Sequence, residues 1–409
     1  MSFLRFIVDG VKELFHGSKL YWTWVGVLGL AFVSGVLGYL EQLDQGLIVT
    51  GMSDQVSWGA YIANFTFLVG MAASAVLLVV PTYIFENKHA KEVVTLGEGV
   101  AVAACTMAML FVVVDLGRPE RALHMLPGIG WLHWPESILA WDVVVLSGYL
   151  VMNLTIPMYF LYKRYVGEPP NYKLVYPGVF LSIFWAISIH TVTAFLFSAN
   201  SGRPFWHTAL LGPRFLASAF AAGPLAIILA FRIIDWRTEF KVETATIRFL
   251  AVIATVALQV NLFMLFAEIF TEFYSPTAHS ASAHYLFEGL GPQAKLVPWI
   301  YTAIGMELVA LVLLMSKKLR HHLGTLTFAC VLAVVGIWIE KGMGLIIPGF
   351  VPTPLGEVFE YTPSRVELQV SLGIWALGLL IFTFLAKAAV PIELGQLKAK
   401  LKSPVRGQG

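Results

Sequence analysis

Apolar residues fall along this chain in ten long runs separated by short polar connections. The runs are Tyr21–Leu40, Trp58–Phe85, Val93–Asp115, Pro135–Tyr162, Leu174–Ser198, Pro213–Ile234, Thr244–Thr271, Val297–Ser316, Leu323–Glu340 and Val366–Ala386. A helix rises about 1.5 Å per residue and needs about 20 apolar residues to cross a hydrocarbon core, so each run predicts one spanning helix. Membrane strands alternate over about 10 residues, which does not fit continuous runs of this length. Ahead of the first run, residues 1–19 interleave Phe3, Leu4, Phe6, Ile7, Val11, Leu14 and Phe15 with Arg5, Lys12 and Lys19, the pattern of a helix lying in the interface. No compact apolar stretch with a small-residue cleavage site is present there, so no cleaved leader is expected. The expected organisation is one integral membrane domain over 1–409: the interfacial helix, ten spans within 21–386 and a basic tail over 387–409.

Composition narrows the picture further. Charged residues make up 13% and hydrophobic ones 58%, against about 25% charged in a soluble domain. A soluble globule is excluded, and so is disorder, which requires low hydrophobicity and high charge. A formal net charge of +2 leaves no basic footprint for nucleic acid. Lysine and arginine orient the spans: with both termini cytoplasmic, that side carries 19 of them and the opposite side 6. Cys105 and Cys330 each sit inside an apolar run and read as small core residues.

Polar residues inside the runs carry the candidate chemistry. Measured from the outer ends of their runs, Asn64 lies about 9 Å deep, Asp142 about 10 Å, His190 about 12 Å and Glu268 about 5 Å. Asp115, Arg118, His124 and Arg214 sit above them, and Glu307 falls midway along its run. Intramembrane ionisable groups are costly and are kept mainly where they face a cavity or act, so the four helices are expected to pool these groups in one chamber. Plainer roles stand beside this one. Asn64 suits an ordinary interhelical hydrogen bond. Asp115, Arg118, Glu120 and Arg121 suit a solvated loop with local ion pairs, His124 an interfacial position, and Trp58, Tyr61, Trp131, Trp134 and Trp299 an aromatic belt. Two outer loops share a pattern, Gly117-Arg118-Pro119 before His124 and Gly202-Arg203-Pro204 before His207, a hint of duplication. The Gly/Pro-rich segment from Gly342 to Arg365 could cap the bundle or meet a partner.

Several chemistries are disfavoured. No phosphate-binding glycine loop is present. Only His190 of the ten histidines lies well inside a span, too few for a bis-histidine haem. Two cysteines cannot ligate an iron–sulfur cluster, and no zinc pattern occurs. A proton-coupled quinone site fits what is left, since its two carbonyls call for carboxyl or imidazole partners able to pass protons. A secondary transporter with midplane carboxylates and a purely structural membrane anchor remain the alternatives on the residues alone.

The chain resembles the NrfD/PsrC (polysulfide-reductase-like) family of membrane quinone subunits. Trp58-Gly59-Ala60-Tyr61-Ile62, the string from Asp115-Leu116-Gly117-Arg118-Pro119 to His124, and Trp141-Asp142 carry the resemblance. His190, Arg203-Pro204 with Trp206-His207, and Pro213-Arg214-Phe215 with Ser218-Ala219 extend it, from about the second span to the ninth. Ten spans match the larger branch of the family, and the menaquinone reductase type most of all. The resemblance implies an all-α polytopic protein of the bacterial inner membrane, with two four-helix bundles plus peripheral helices and no haem, iron–sulfur cluster or metal of its own. It further implies menaquinone bound near the periplasmic face and electrons exchanged with a periplasmic Fe–S cluster subunit. Multihaem cytochrome c and molybdopterin-oxidoreductase-like subunits would complete the complex, with electrogenic menaquinone reduction as the expected reaction and no activity from this chain alone. Within that reading Tyr61, Asn64, Arg118, His124, Asp142 and His190 are the quinone-binding candidates. Asp115, Asp142, Glu268, Glu272 and Glu307 are the proton-transfer candidates.

Overall fold

The computed structural model describes residues 2–399 apart from 86–87, 127, 275–276 and 278–279, so the expected basic tail lies outside the described residues from 400 onward. The helices in chain order are α1 (Ser2–Leu14), α2 (Lys19–Gln45), α3 (Ala60–Ala73), α4 (Val76–Tyr83), α5 (Lys88–Asp115), α6 (Ile138–Val166), α7 (Tyr172–Ser198) and α8 (Leu211–Arg237). They continue with α9 (Thr244–Tyr274), α10 (Ala281–Phe287), α11 (Val297–Met315), α12 (Lys317–His321), α13 (Leu323–Lys341), α14 (Met343–Ile346) and α15 (Arg365–Glu393). Among the described residues ten spans are long and apolar enough to cross a membrane, with α3 and α4 together forming one of them.

Packing sorts these spans into the expected arrangement. The α3–α4 unit, α5, α6 and α7 form one four-helix bundle, while α8, α9, α11 and α13 form a second. The two meet where α8 lies against α3 and α7, and the pair α2 and α15 flanks the first bundle along α5. Glycine sets the closest crossing: a Cβ on Gly35 of α2 would lie 2.5 Å from the Gly373 Cα of α15. Small residues let helix backbones approach this closely where hydrophobic burial supplies no drive between helices in lipid.

Three local features depart from the simple reading of the runs. The run Trp58–Phe85 breaks at Ser74, whose hydroxyl turns back onto the Met71 carbonyl at 2.6 Å. There α8 presses close, since a Cβ on Gly223 would collide with the Ser74 side chain. The sixth helix opens at Ile138 rather than Pro135, with the Trp141 indole donating back to the Pro135 carbonyl at 2.8 Å. The segment after Gly342 is a cap on the bundles: Ile346, Ile347 and Val351 are fully buried, and the Trp206 indole donates to the Leu345 carbonyl at 2.8 Å.

The amphipathic α1 docks by Phe6, which packs edge-on against Tyr162 and Tyr165. The Tyr165 hydroxyl donates to Asp9 at 2.7 Å, and this bond holds the Asp9 carboxyl below the usual carboxylate range.

Gly373→Leu should force α2 from α15 and lower stability by about 1–3 kcal/mol, the usual size of an overpacking defect. Thermal unfolding in detergent would check this, with Gly26→Leu, at a position facing open space, as the near-neutral control.

Candidate functional site

The site begins where α6 meets α7. Asp142 is buried, and the Thr193 hydroxyl lies 2.9 Å from its Oδ1 and 2.8 Å from the Ile189 carbonyl in its own helix. His190 stands one turn before Thr193 on the same buried face of α7. A carbonyl can only accept, so the 3.3 Å contact to the Ala186 oxygen makes Nδ1 the donor and leaves Nε2 as the bare acceptor. That Nε2 is buried without a partner. It faces a small cavity between the bundles, with room for about one water, lined by Thr66 and Phe67 of α3, Phe215 and Ser218 of α8, and Lys341 of α13.

From Lys341 the polar groups continue through the second bundle. Lys341 Nζ lies 3.8 Å from Glu340 Oε1, and both side chains are almost fully buried. Arg214, in the first turn of α8, bridges Glu340 of α13 and Glu268 of α9 with its two terminal nitrogens. Glu307 of α11 is fully buried and accepts from Asn261 of α9 at 3.3 Å. Glu268 and Glu340 thus share Arg214, with Lys341 beside Glu340, an arrangement tolerable away from water only because charge answers charge. Arg214 Nε, Asn261 Oδ1, Glu307 Oε1, Glu340 Oε2 and Lys341 Nζ still lack partners. They mark positions where water would complete the network. A second small cavity, lined by Arg214, Glu268, Glu272 and Glu340 and by Phe205 and Phe287, adjoins them.

The remaining candidates lie elsewhere. The Tyr61 hydroxyl donates to Gln42 Oε1 at 2.7 Å, and Gln42 donates to the Val114 carbonyl at 2.7 Å. Asp115, next along the chain, keeps a buried Oδ1 without a partner. Both therefore face the α2 and α15 flank. In that flank Tyr361 donates to Glu367 at 2.5 Å and accepts from the Ala60 amide at 2.8 Å. Burial and the neighbouring Glu367 carboxylate push the Tyr361 hydroxyl far above its usual range, so it remains a donor. Asn64 Oδ1 accepts from the indoles of Trp338 at 3.0 Å and Trp375 at 2.9 Å, pinning α3 to α13 and α15. Arg118 is exposed beside Glu120 at 3.7 Å, and His124 is exposed on the outer loop.

The expected single chamber is therefore divided. Asp142 and His190 belong together in the first bundle, and Glu268, Glu272 and Glu307 belong together in the second. Tyr61 and Asp115 face the flank, while Arg118 and His124 lie on the outer surface. Equal depth along helices does not give equal direction around them. In the sequence Glu340 closes its apolar run and Lys341 follows it, yet an apolar stretch from Met343 to Val351 resumes directly behind them. A charged pair with apolar chain on both sides is the signal that marks it as buried. Among the described residues no three His, Cys, Asp or Glu side chains are grouped to hold a metal ion.

Comparison with known proteins adds the relationship. The family model described as Polysulphide reductase, NrfD, matches residues 48–352. A putative dimethyl sulfoxide reductase membrane subunit of Halobacterium salinarum is 25% identical, with 88% of each chain covered. An Hdr-like menaquinol oxidoreductase integral membrane subunit of Archaeoglobus fulgidus is 26% identical over 91% of this chain and 93% of its own. A menaquinone reductase integral membrane subunit of Nitratidesulfovibrio vulgaris is 23% identical over 89% and 90%. The family match takes in both four-helix bundles and the loops between them, and this multi-pass membrane protein belongs to the NrfD polysulphide reductase family.

Proposed function

We propose that the protein is the menaquinone-binding membrane subunit of a respiratory oxidoreductase complex, with both termini cytoplasmic. The observation that carries this reading is the acid–imidazole set Asp142, Thr193 and His190 in the outer half of the first bundle, facing across a cavity Lys341 of the second. The printed names of two of the relatives above, which refer to menaquinol and menaquinone, support it.

In this reading menaquinone accepts two electrons and two protons per turnover near the outer face. Electrons come from a periplasmic iron–sulfur subunit, itself fed by multihaem cytochrome c and molybdopterin-type subunits. That partner would rest on the outer loops, where Arg118, paired with Glu120, and His124 are exposed. Asp142 holds or releases a proton at its carboxylate, and His190 Nε2 accepts one from the cavity side. Asn64 keeps α3 in register, and Tyr61 braces the outer end of the same helix. Glu307, Glu268 and Glu272, joined through Glu340, Arg214 and Lys341, conduct protons in the second bundle. Protons drawn from the cytoplasmic side against electrons from outside would make turnover electrogenic.

The break between α3 and α4 favours one second reading, a secondary transporter, because discontinuous helices frame transporter sites. It predicts solute uptake by the purified chain alone, whereas a quinone subunit is inert without its partners.

Asp142→Asn should lower menaquinone turnover of the assembled complex roughly 100-fold, the scale of a lost proton-transfer group, while the complex keeps its full set of subunits. Wild-type turnover would remove Asp142 from the mechanism. Glu307→Gln should reduce charge movement more than quinone binding in reconstituted vesicles, and an unchanged membrane potential would discard the second-bundle route.

A further inference from the structure

The first bundle contains an acid that none of these networks uses. Glu98 of α5 is 3% exposed, and its Oε2 is buried without a hydrogen-bond partner. Among the described residues no cation compensates it. It lies in the inner half of the membrane, whereas in the second bundle the buried acids among the described residues stop at Glu307, midway along α11. An unanswered carboxyl inside a bundle is kept at a cost and is a functional group by default.

Its neighbours stand in line. One turn toward the Lys/Arg-rich end, Thr95 donates to Glu393 of α15 at 3.4 Å, and Glu393 pairs with the half-exposed Arg164 of α6. Toward the other end Tyr149 of α6 lies near Glu98, while Tyr83, the last residue of α4, lies near it on the Lys/Arg-rich side. Cys105, one further group near Tyr149, gives its thiol to the Leu146 carbonyl at 3.4 Å. Tyr149 and Asp142 are both on the buried face of α6, two turns apart. Two turns rise about 10 Å, a gap that a tyrosine hydroxyl and about one or two waters would cross.

We propose that Glu98 is the inner-half proton carrier of the first bundle, passing protons through Tyr149 to Asp142 from a cytoplasmic entrance at Arg164 and Glu393. The proposal rests on the quinone reading above and gives that site its own proton supply, separate from Glu307. Each quinone reduced takes two electrons from the iron–sulfur partner and two protons, one of them delivered by Asp142 from Glu98. Each proton leaving the Glu98 carboxyl for Asp142 is replaced from cytoplasmic water, so Glu98 ends the cycle unchanged.

The test uses the assembled complex in sealed vesicles. Glu98→Gln keeps the shape of the side chain and removes its proton. Menaquinone turnover should fall roughly 10–100-fold with bound menaquinone and the set of assembled subunits unchanged, and Glu98→Asp should recover part of the rate. Tyr149→Phe should slow turnover in the same way and decides the matter should Glu98→Gln fail to assemble. Wild-type rates in these variants overturn the proposal. Infrared difference spectra without added quinone give an independent reading: a carboxyl band present in the native complex, missing in Glu98→Gln, should shift when cytoplasmic-side water is replaced by D2O. A band that does not shift, or no band lost, refutes the path. A native complex that exchanges this proton yet never turns over menaquinone removes the quinone reading and leaves the path standing.

Discussion

Inside a bilayer a charged side chain has no water to answer it, and every other feature of this structure follows from how the protein meets that constraint. Arg214 illustrates it. Placed in the first turn of α8, its guanidinium has Glu268 on one side and Glu340 on the other. Breaking such a buried pair from one side leaves an uncompensated charge, which is far more destabilising than the pair is stabilising. The ion array therefore constrains α8, α9 and α13 to a common arrangement and holds the second bundle together at its outer end.

The same array gives the two bundles a shared polar interior. Lys341 belongs to the second bundle by its pairing with Glu340, yet it borders the cavity that His190 of the first bundle faces. The polar string thus runs from Asp142 through Thr193 and His190, across the cavity, to Glu340, Arg214 and Glu268. Unsatisfied atoms along it are concentrated at that junction and around Glu307. Buried polar networks are worth most when fully satisfied, and these atoms are the least satisfied part of the string.

Neutral hydrogen bonds do a different job. Asn64 accepts two indole N–H groups and gives its own amide to the Ala60 carbonyl, so its polar atoms are answered and it serves as a rivet between three helices. Tyr61, Gln42, Tyr361 and Glu367 form a similar set where α2 and α15 meet α3 and α5. The Ser364 capping box shares Glu367 with this set, which ties the start of α15 to the outer end of α3. These contacts fix the positions of the helices they join.

The amino-acid sequence by itself determined the ten spans, because each needs only a long apolar run and helix geometry, both local properties. It also determined that Asp142, His190, Glu268 and Glu307 sit at membrane depth, since depth along a helix is a matter of counting residues. Tertiary structure alone decided which of them meet. Direction around a helix axis depends on how whole helices tilt and pack, and that separated Tyr61 and Asp115 from Asp142 while bringing Glu340 and Lys341 beneath a cap that the local pattern ended too early. Glu98 shows the same division: it lies inside the run Val93–Asp115, but its lack of an answering charge among the described residues exists only in the packed bundle.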